Sequence, residues 1–206
     1  MIDIDASLEA ARRQNAEGIV KTAEDLERYR MVIEATRPDG VIECGTFSGK
    51  SALWFAEQTC APVVTIDVHM QVDGPTRTRA RMSGVTFLTG RSTDQATVDR
   101  VDAWARDHDV RRPLVVLDSD HSADTVAEEL AAYAGRVPVG GYCVVEDTLV
   151  RWMPWAQTTG GGPYRGSPLD AVDSFLAGHP GWENDDVLEG LCSTTQFPGG
   201  WLRRTV

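Results

Sequence analysis

The sequence predicts a doubly wound α/β fold: a mostly parallel sheet between two layers of helices, closed by a C-terminal antiparallel hairpin. Two observations carry this. From Gly40 onward, short β-branched and apolar runs recur, each apolar on both faces, as strands buried between helical layers must be. Helical stretches separate these runs, and that alternation yields parallel strands joined by crossovers.

Taken in order, residues 4–35 are charged and helical in character, with Leu8, Ala11 and Ile19, then Leu26, Tyr29 and Ile33, on spaced faces and Gly18 as the break between two helices. This segment, 1–37, is expected to cover the sheet or to serve a contact between copies in a homo-oligomer. Residues 38–206 then form the one domain. Its strands are Val41-Ile42-Glu43-Cys44, Val63-Val64-Thr65-Ile66-Asp67, Val85-Thr86-Phe87-Leu88, Leu114-Val115-Val116-Leu117-Asp118 and Gly141-Tyr142-Cys143-Val144-Val145-Glu146. The helices between them span 50–58, 94–107 and 123–134. Residues 151–168 hold two Trp, three consecutive Gly and three Pro without helical or strand period, which predicts a lid or binding loop or else a disordered segment. Trp152, Met153, Trp155 and Tyr164 would either meet a sugar or ring face there, with Gly160 to Gly162 letting the loop move, or form an aromatic patch buried at a subunit interface. A helix over 168–178 follows, then an acidic stretch, 183–186. The end reads as a hairpin, 187–195 returning through Pro198-Gly199-Gly200 to 201–204.

At 206 residues and 22.5 kDa, 42% hydrophobic and 25% charged, the chain can bury a full core without disulfides or a structural metal. Twenty basic against 31 acidic side chains give −11, a charge that repels phosphate backbones and excludes general nucleic-acid binding. The longest apolar runs, such as 114–117 and 142–145, are too short to cross a bilayer, so no membrane partner is expected. The first residues show neither a basic n-region nor an apolar h-region. Cys44, Cys60, Cys143 and Cys192 form no CxxC pair and read as reduced thiols, which points to the cytoplasm.

The first strand runs Glu43-Cys44-Gly45-Thr46-Phe47-Ser48-Gly49-Lys50-Ser51 into a helix, a turn that lets backbone approach a ligand. A phosphate loop needs four residues between its glycines, and Gly45 to Gly49 encloses three. The dinucleotide fingerprint fails as well, because Thr46-Phe47 stands where its second glycine belongs. The acidic-x-Gly turn of nucleoside-binding methyltransferases fits, with Glu43 near a cofactor ammonium and Gly45, Thr46, Gly49 and Ser51 around it. Asp67 follows Gly45 by 22 residues, close to the ~20-residue offset of a ribose-binding carboxylate. After the third strand, Ser92 and Asp94 either cap the next helix or bind a purine edge. Asp118-Ser119-Asp120-His121 and Glu146-Asp147 end neighbouring strands, so their carboxylates share a crevice and repel unless a cation neutralises them. All-oxygen ligands favour Mg²⁺ in a site shared with substrate. Either Asp118 or Asp120 can face that ion, and His121 lies near enough to act on a group bound to it.

These segments resemble the cephalosporin hydroxylase family, similar in chemistry to magnesium- and S-adenosylmethionine-dependent O-methyltransferases, including macrolide sugar methyltransferases. The resemblance rests on the turn above, on Leu117-Asp118-Ser119-Asp120-His121, and on Gly141-Tyr142-Cys143-Val144-Val145-Glu146-Asp147-Thr148. It continues through Gly166-Ser167-Pro168 and Phe197-Pro198-Gly199-Gly200-Trp201-Leu202-Arg203-Arg204, so it spans residues 38–206. It implies a class I methyltransferase fold, S-adenosylmethionine and Mg²⁺ as cofactors, Asp118, Glu146 and Asp147 as metal ligands, and His121 as general base. The acceptor it implies is a small molecule with a hydroxyl or vicinal diol. Two other readings stand beside it. One is a nucleotide hydrolase with Gly49-Lys50-Ser51 as phosphate loop; the other is a non-catalytic cofactor-binding partner of another biosynthetic enzyme.

Overall fold

A computed structural model describes residues 1–11, 21–153 and 166–206. Along the chain come α1 (Ile4–Ala11), α2 (Ala23–Thr36), β1 (Gly40–Cys44), α3 (Lys50–Thr59), β2 (Val63–Asp67), α4 (Gly74–Met82), β3 (Val85–Thr89) and α5 (Gln95–Asp107). Then follow β4 (Pro113–Leu117), α6 (Ala123–Tyr133), β5 (Tyr142–Val145), α7 (Pro168–Gly178), β6 (Trp182–Asn184), α8 (Asp186–Glu189) and β7 (Trp201–Arg204).

The strands form one sheet in the order β3-β2-β1-β4-β5-β7-β6, with β5–β7 and β6–β7 antiparallel and the other pairs parallel. Strand side chains alternate between faces, and the core divides accordingly. Ile42, Cys44, Val64, Ile66, Val115, Leu117, Cys143 and Val145 pack with α5, α6 and α7 through Trp104, Leu130, Tyr133 and Val172. Val41, Val63, Leu114, Val116 and Val144 pack on the other face with Tyr29 of α2 and Phe55 of α3. The predicted fold class is therefore observed. Both sides of β1 and β4 are sealed, and burying each such aliphatic side chain contributes roughly 1.5–3 kcal/mol. The chain leaves β1 toward β2 and later returns to β4 on β1's other side, so a crevice opens at their carboxyl ends.

Helix α2 is tied to the C-terminal segment. Arg28, 1% exposed, pairs with Asp25 at 3.0 Å and donates to the carbonyls of Glu189, Cys192 and Thr194 at 2.8–2.9 Å. Asp25 also accepts from Thr195 Oγ1 at 2.5 Å and Gln196 N at 2.8 Å. Thr22 caps α2 with its hydroxyl, and its own N–H donates to Gln196 Oε1 at 2.9 Å, which fixes the backbone beside Lys21.

Two elements differ from the expected ones. Helix α4 was not foreseen: only Ala80 on it is buried, so no apolar stripe marks it. It forms because Asp73 caps it, accepting from Thr76 N at 2.7 Å, and Pro75 sits in its first turn. The first arm of the C-terminal hairpin is β6, not 187–195; Trp182 lies opposite Arg204 and Asn184 opposite Leu202. Glu183 faces Arg203 across the pair, so the acidic stretch suits an edge strand. Residues 186–189 coil into α8 instead, with Asp185 accepting from Leu188 N at 2.9 Å. The loop after β5 starts as a 3₁₀ turn, Thr148–Trp152. The break at Gly18, and Trp155, Gly160 to Gly162 and Tyr164, lie outside the described residues. Among the described residues, no helix is long and apolar enough to cross a membrane.

Candidate active site

A cavity of about 560 Å³ occupies the crevice, walled by the β1–α3 turn, the end of β2, the loop after β3 and the loop after β4. Gly45 makes it possible. Its φ is +100°, and a Cβ there would stand 1.7 Å from the Asp118 carbonyl oxygen, so only glycine lets β1 and β4 end this close. Asp67 then organises the turn: Oδ2 accepts from Thr46 N at 3.0 Å and Phe47 N at 2.8 Å, and Oδ1 from His69 N at 2.9 Å. Gly49, at φ +73°, caps α3. Gly45, Thr46, Ser51 and Asp67 line the cavity; Gly49 and Glu43 do not. Glu43 is fully buried beneath the turn, where it accepts from Ser51 Oγ and, at 2.5 Å, from Thr65 Oγ1. Burial pushes its carboxyl up to about 7, against the pull of Lys21 and these two hydroxyls.

At the other wall stands a cluster of charges. Strand pairing brings Asp118 N to Cys44 O at 2.8 Å and Glu146 N to Leu117 O at 2.9 Å, so the acidic strand ends lie side by side. His121 Nε2 sits 3.3 Å from Asp118 Oδ1 and 3.1 Å from Asp147 Oδ2. Lys21 Nζ lies 3.0 Å from Asp118 Oδ2 and 2.6 Å from Glu146 Oε2. Tyr29 donates to Glu146 Oε1 at 2.6 Å. Among the described residues, the ligand atoms of Asp118, His121 and Asp147 all lie within 4.8 Å of one another, the spacing a metal ion needs. All three line the cavity. Glu146, expected beside Asp118 and Asp147, is 2% exposed, does not line the cavity and is engaged by Lys21 and Tyr29. Asp120 turns away to the start of α6, taking Ser122 N at 3.0 Å and Thr125 Oγ1 at 2.9 Å. Of the two aspartates, Asp118 therefore faces the cluster.

The charges shift one another. Burial works to raise the Asp118 carboxyl, but Lys21 and His121 outweigh it and hold it at about 2. Burial also opposes the charged His121 ring, yet Asp118 and Asp147 keep it up at about 9. Desolvation and the neighbouring Asp118 raise Glu146. The backbone is strained in the same place. Phe47, His121 and Asp147 are non-glycine residues with φ of 42°, 59° and 54°, and all three border the cavity.

The loop after β3 forms the third wall. Ser92 lines the cavity, its hydroxyl donating to buried Glu129 and its carbonyl accepting from Tyr133 OH at 2.6 Å. Asp94 does not line it; its side chain is 59% exposed, 4.0 Å from Arg91, at the start of α5. Burial pushes the Glu129 carboxyl up to about 7 from an ordinary 4.5. The folded protein then binds this proton more tightly than the unfolded chain, so stability falls as pH rises through 4.5 to 7, by up to about 3 kcal/mol. Glu129→Gln is expected to flatten that part of the curve of urea midpoint against pH. Parallel curves for the two proteins would show that Glu129 does not cause the slope.

Sequence reasoning missed Lys21, Tyr29 and Glu129. Nothing in the spacing of an N-terminal lysine, or of a glutamate within a helix, signals that Lys21 reaches the cavity or that Glu129 stands behind its wall.

The family described as Rhamnosyl O-methyltransferase/CmcI matches residues 13–205. The Rhamnosyl O-methyltransferase of Mycobacterium tuberculosis (strain ATCC 25618 / H37Rv) is 30% identical over 191 residues, covering 89% of this chain and 74% of that protein. The solved structure described as cmcI-D160 Mg-SAM superposes with a TM-score of 0.63 at 20% identity, over 95% of this chain and 78% of that one. MycE methyltransferase from the mycinamycin biosynthetic pathway, in complex with Mg, SAH and Mycinamycin VI, gives 0.50 at 19% identity, over 74% of this chain and 39% of that one. The nucleotide-hydrolase reading falls here, and the earlier resemblance is upheld: the chain belongs to the Rhamnosyl O-methyltransferase/CmcI family of O-methyltransferases.

Proposed function

We propose that this chain transfers the methyl group of S-adenosylmethionine to a hydroxyl of a small natural product, a sugar or similar diol, in a magnesium-dependent reaction with His121 as base. The observation that carries this is the convergence of Asp118, His121 and Asp147 on one wall of the cavity opened by Gly45. Two carboxylates and an imidazole at that spacing suit a hard divalent cation, with Asp118 and Asp147 as the residues that would hold it. Glu146 joins them where Lys21 gives way. Magnesium, when bound, supplies Lewis acidity that lowers the pKa of an alcohol.

The chain's own residues do the rest. Asp67 stands at the ribose end of the cavity and Ser92, better placed than Asp94, at the purine end. Glu43 fixes Ser51 and Thr65 under the turn that would take the methionine end. Gly45, Thr46 and Gly49 bring that backbone close. The acceptor oxygen bonds to the methyl carbon as the carbon–sulfur bond of the sulfonium breaks and leaves its electron pair on sulfur, giving S-adenosylhomocysteine. The acceptor's proton passes to His121 Nε2, the ring atom that faces both carboxylates. The ring takes a proton only in its neutral form, which Asp118 and Asp147 oppose until a cation engages them. The mycobacterial relative's name, Rhamnosyl O-methyltransferase, is consistent with a sugar-bearing acceptor.

Calorimetric titration of S-adenosylmethionine and, separately, ATP tests the reading, with Mg²⁺ and then with chelator. Binding of the first alone is expected, together with methylation of diol acceptors that stops on chelation. Binding of ATP alone would sink the proposal. Asp118→Asn is expected to weaken Mg²⁺ binding tenfold or more, by the loss of a charged ligand. Undiminished Mg²⁺ affinity in that variant would remove Asp118 from the metal site.

A further inference from the structure

Glu129 is fully buried on α6, outside the cavity, and takes no part in the mechanism above. Three elements that border the cavity nevertheless converge on it. Ser92, from the loop after β3, donates its hydroxyl to Glu129 Oε1. Ser119, from the loop after β4, lies beside the same carboxyl, and among the described residues neither Ser119 Oγ nor Glu129 Oε2 has a partner at full hydrogen-bond geometry. The Cys44 thiol, at the end of β1, interacts with the same carboxyl. One helical turn further on, Tyr133 holds the Ser92 carbonyl at 2.6 Å, so α6 grips Ser92 by both its polar groups. Ser92 and Ser119 line the cavity; Glu129 and Tyr133 stand behind them. A buried acid with an unpartnered oxygen is costly to keep, by about 1–3 kcal/mol. Ordinary packing does not explain it, because a leucine would fill α6 at that position without the cost.

We propose that Glu129 is a positioning residue for cofactor binding: through Ser92 and Ser119 it sets the spacing of the β3 and β4 loops around the nucleoside end of S-adenosylmethionine. Closing of those loops on the nucleoside brings the Ser119 hydroxyl onto the second carboxyl oxygen, so both unpartnered atoms are satisfied in the bound state. The inference rests on this cavity being the cofactor site, and the test separates the two claims.

S-adenosylhomocysteine and Mg²⁺ are titrated separately into wild type, Glu129→Leu, Glu129→Gln and Tyr133→Phe, each checked for folding by circular dichroism. Glu129→Leu is expected to lose at least tenfold in S-adenosylhomocysteine affinity, with Mg²⁺ affinity within about twofold of wild type. Glu129→Gln, whose amide accepts from Ser92 and donates to Ser119, is expected to stay within about threefold of wild type. Tyr133→Phe, which releases only the carbonyl, is expected to fall between them, with KM for S-adenosylmethionine raised and kcat retained. If Glu129→Leu does not fold, Glu129→Gln and Tyr133→Phe decide the matter by the same criteria. Wild-type affinity in Glu129→Leu or Tyr133→Phe overturns the inference, as does a glutamine variant as weak as leucine or an equal loss of Mg²⁺ binding. Absence of binding in wild type would overturn the cofactor-site reading itself.

Discussion

Turnover of His121→Asn is expected to fall about 10²–10⁴-fold, while its affinity for S-adenosylhomocysteine stays within about threefold of wild type. Asparagine is the informative replacement. His121 has φ of +59°, and asparagine adopts this left-handed conformation readily where alanine would strain it. The variant therefore removes the ring and little else. Nε2 is the atom 3.1 Å from Asp147 and 3.3 Å from Asp118, and in the proposed reaction it is the atom that takes the acceptor proton, whereas Asp67 and Ser92 are the residues proposed to hold the cofactor. Loss confined to kcat identifies a group that acts in the chemical step. An equal loss of S-adenosylhomocysteine affinity would show that His121 holds the site in shape, and unchanged turnover would assign the proton to another base.

The sheet was legible because burial on both faces leaves unbroken apolar runs; 41–44, 63–67 and 114–117 are strands at nearly the expected bounds. Helix α4 was not, because a helix lying on the surface with one buried residue writes no period into its sequence. The same contrast runs through the site. Asp118, His121 and Asp147 could be placed together because strand ends in a parallel sheet share a crevice whatever their separation in the chain. Which way each carboxylate turns depends on distant partners. Glu146 is drawn beneath the cavity by Tyr29 and Lys21, and Asp120 is drawn off by Ser122 and Thr125. Asp94 projects from the first turn of α5 beside Arg91, an orientation that its place after β3 does not determine. Lys21 reaches Asp118 from 97 residues away, through the tie between α2 and residues 188–196, which no local pattern announces.

Lys21 in turn carries a sharp expectation. Lys21→Met is expected to destabilise the metal-free protein by about 3–5 kcal/mol and, at the same time, to tighten Mg²⁺ binding by tenfold or more. Methionine keeps the length of the side chain and removes its charge. The Lys21 and Glu146 side chains are 3% and 2% exposed, so without the ammonium Glu146 keeps, among the described residues, only the Tyr29 hydroxyl and stands as a buried, uncompensated carboxylate beside Asp118. That is the source of the destabilisation. The gain in affinity has the same origin. In the wild-type protein, a divalent ion at Asp118 and Asp147 must approach an ammonium 3.0 Å from Asp118 Oδ2. A divalent cation and an ammonium about 5 Å apart at an effective dielectric of 20 repel by roughly 7 kcal/mol, and tenfold corresponds to about 1.4 kcal/mol, so even partial relief is measurable. Thermal melts in chelator and in Mg²⁺, with calorimetry of Mg²⁺ alone, read both effects without any turnover. The melting difference between wild type and Lys21→Met should be large in chelator and should narrow as Mg²⁺ is added, and Glu146→Gln in the Lys21→Met background should restore stability in chelator. If Mg²⁺ binds Lys21→Met more weakly than wild type, Lys21 helps to build the metal site instead of competing for it.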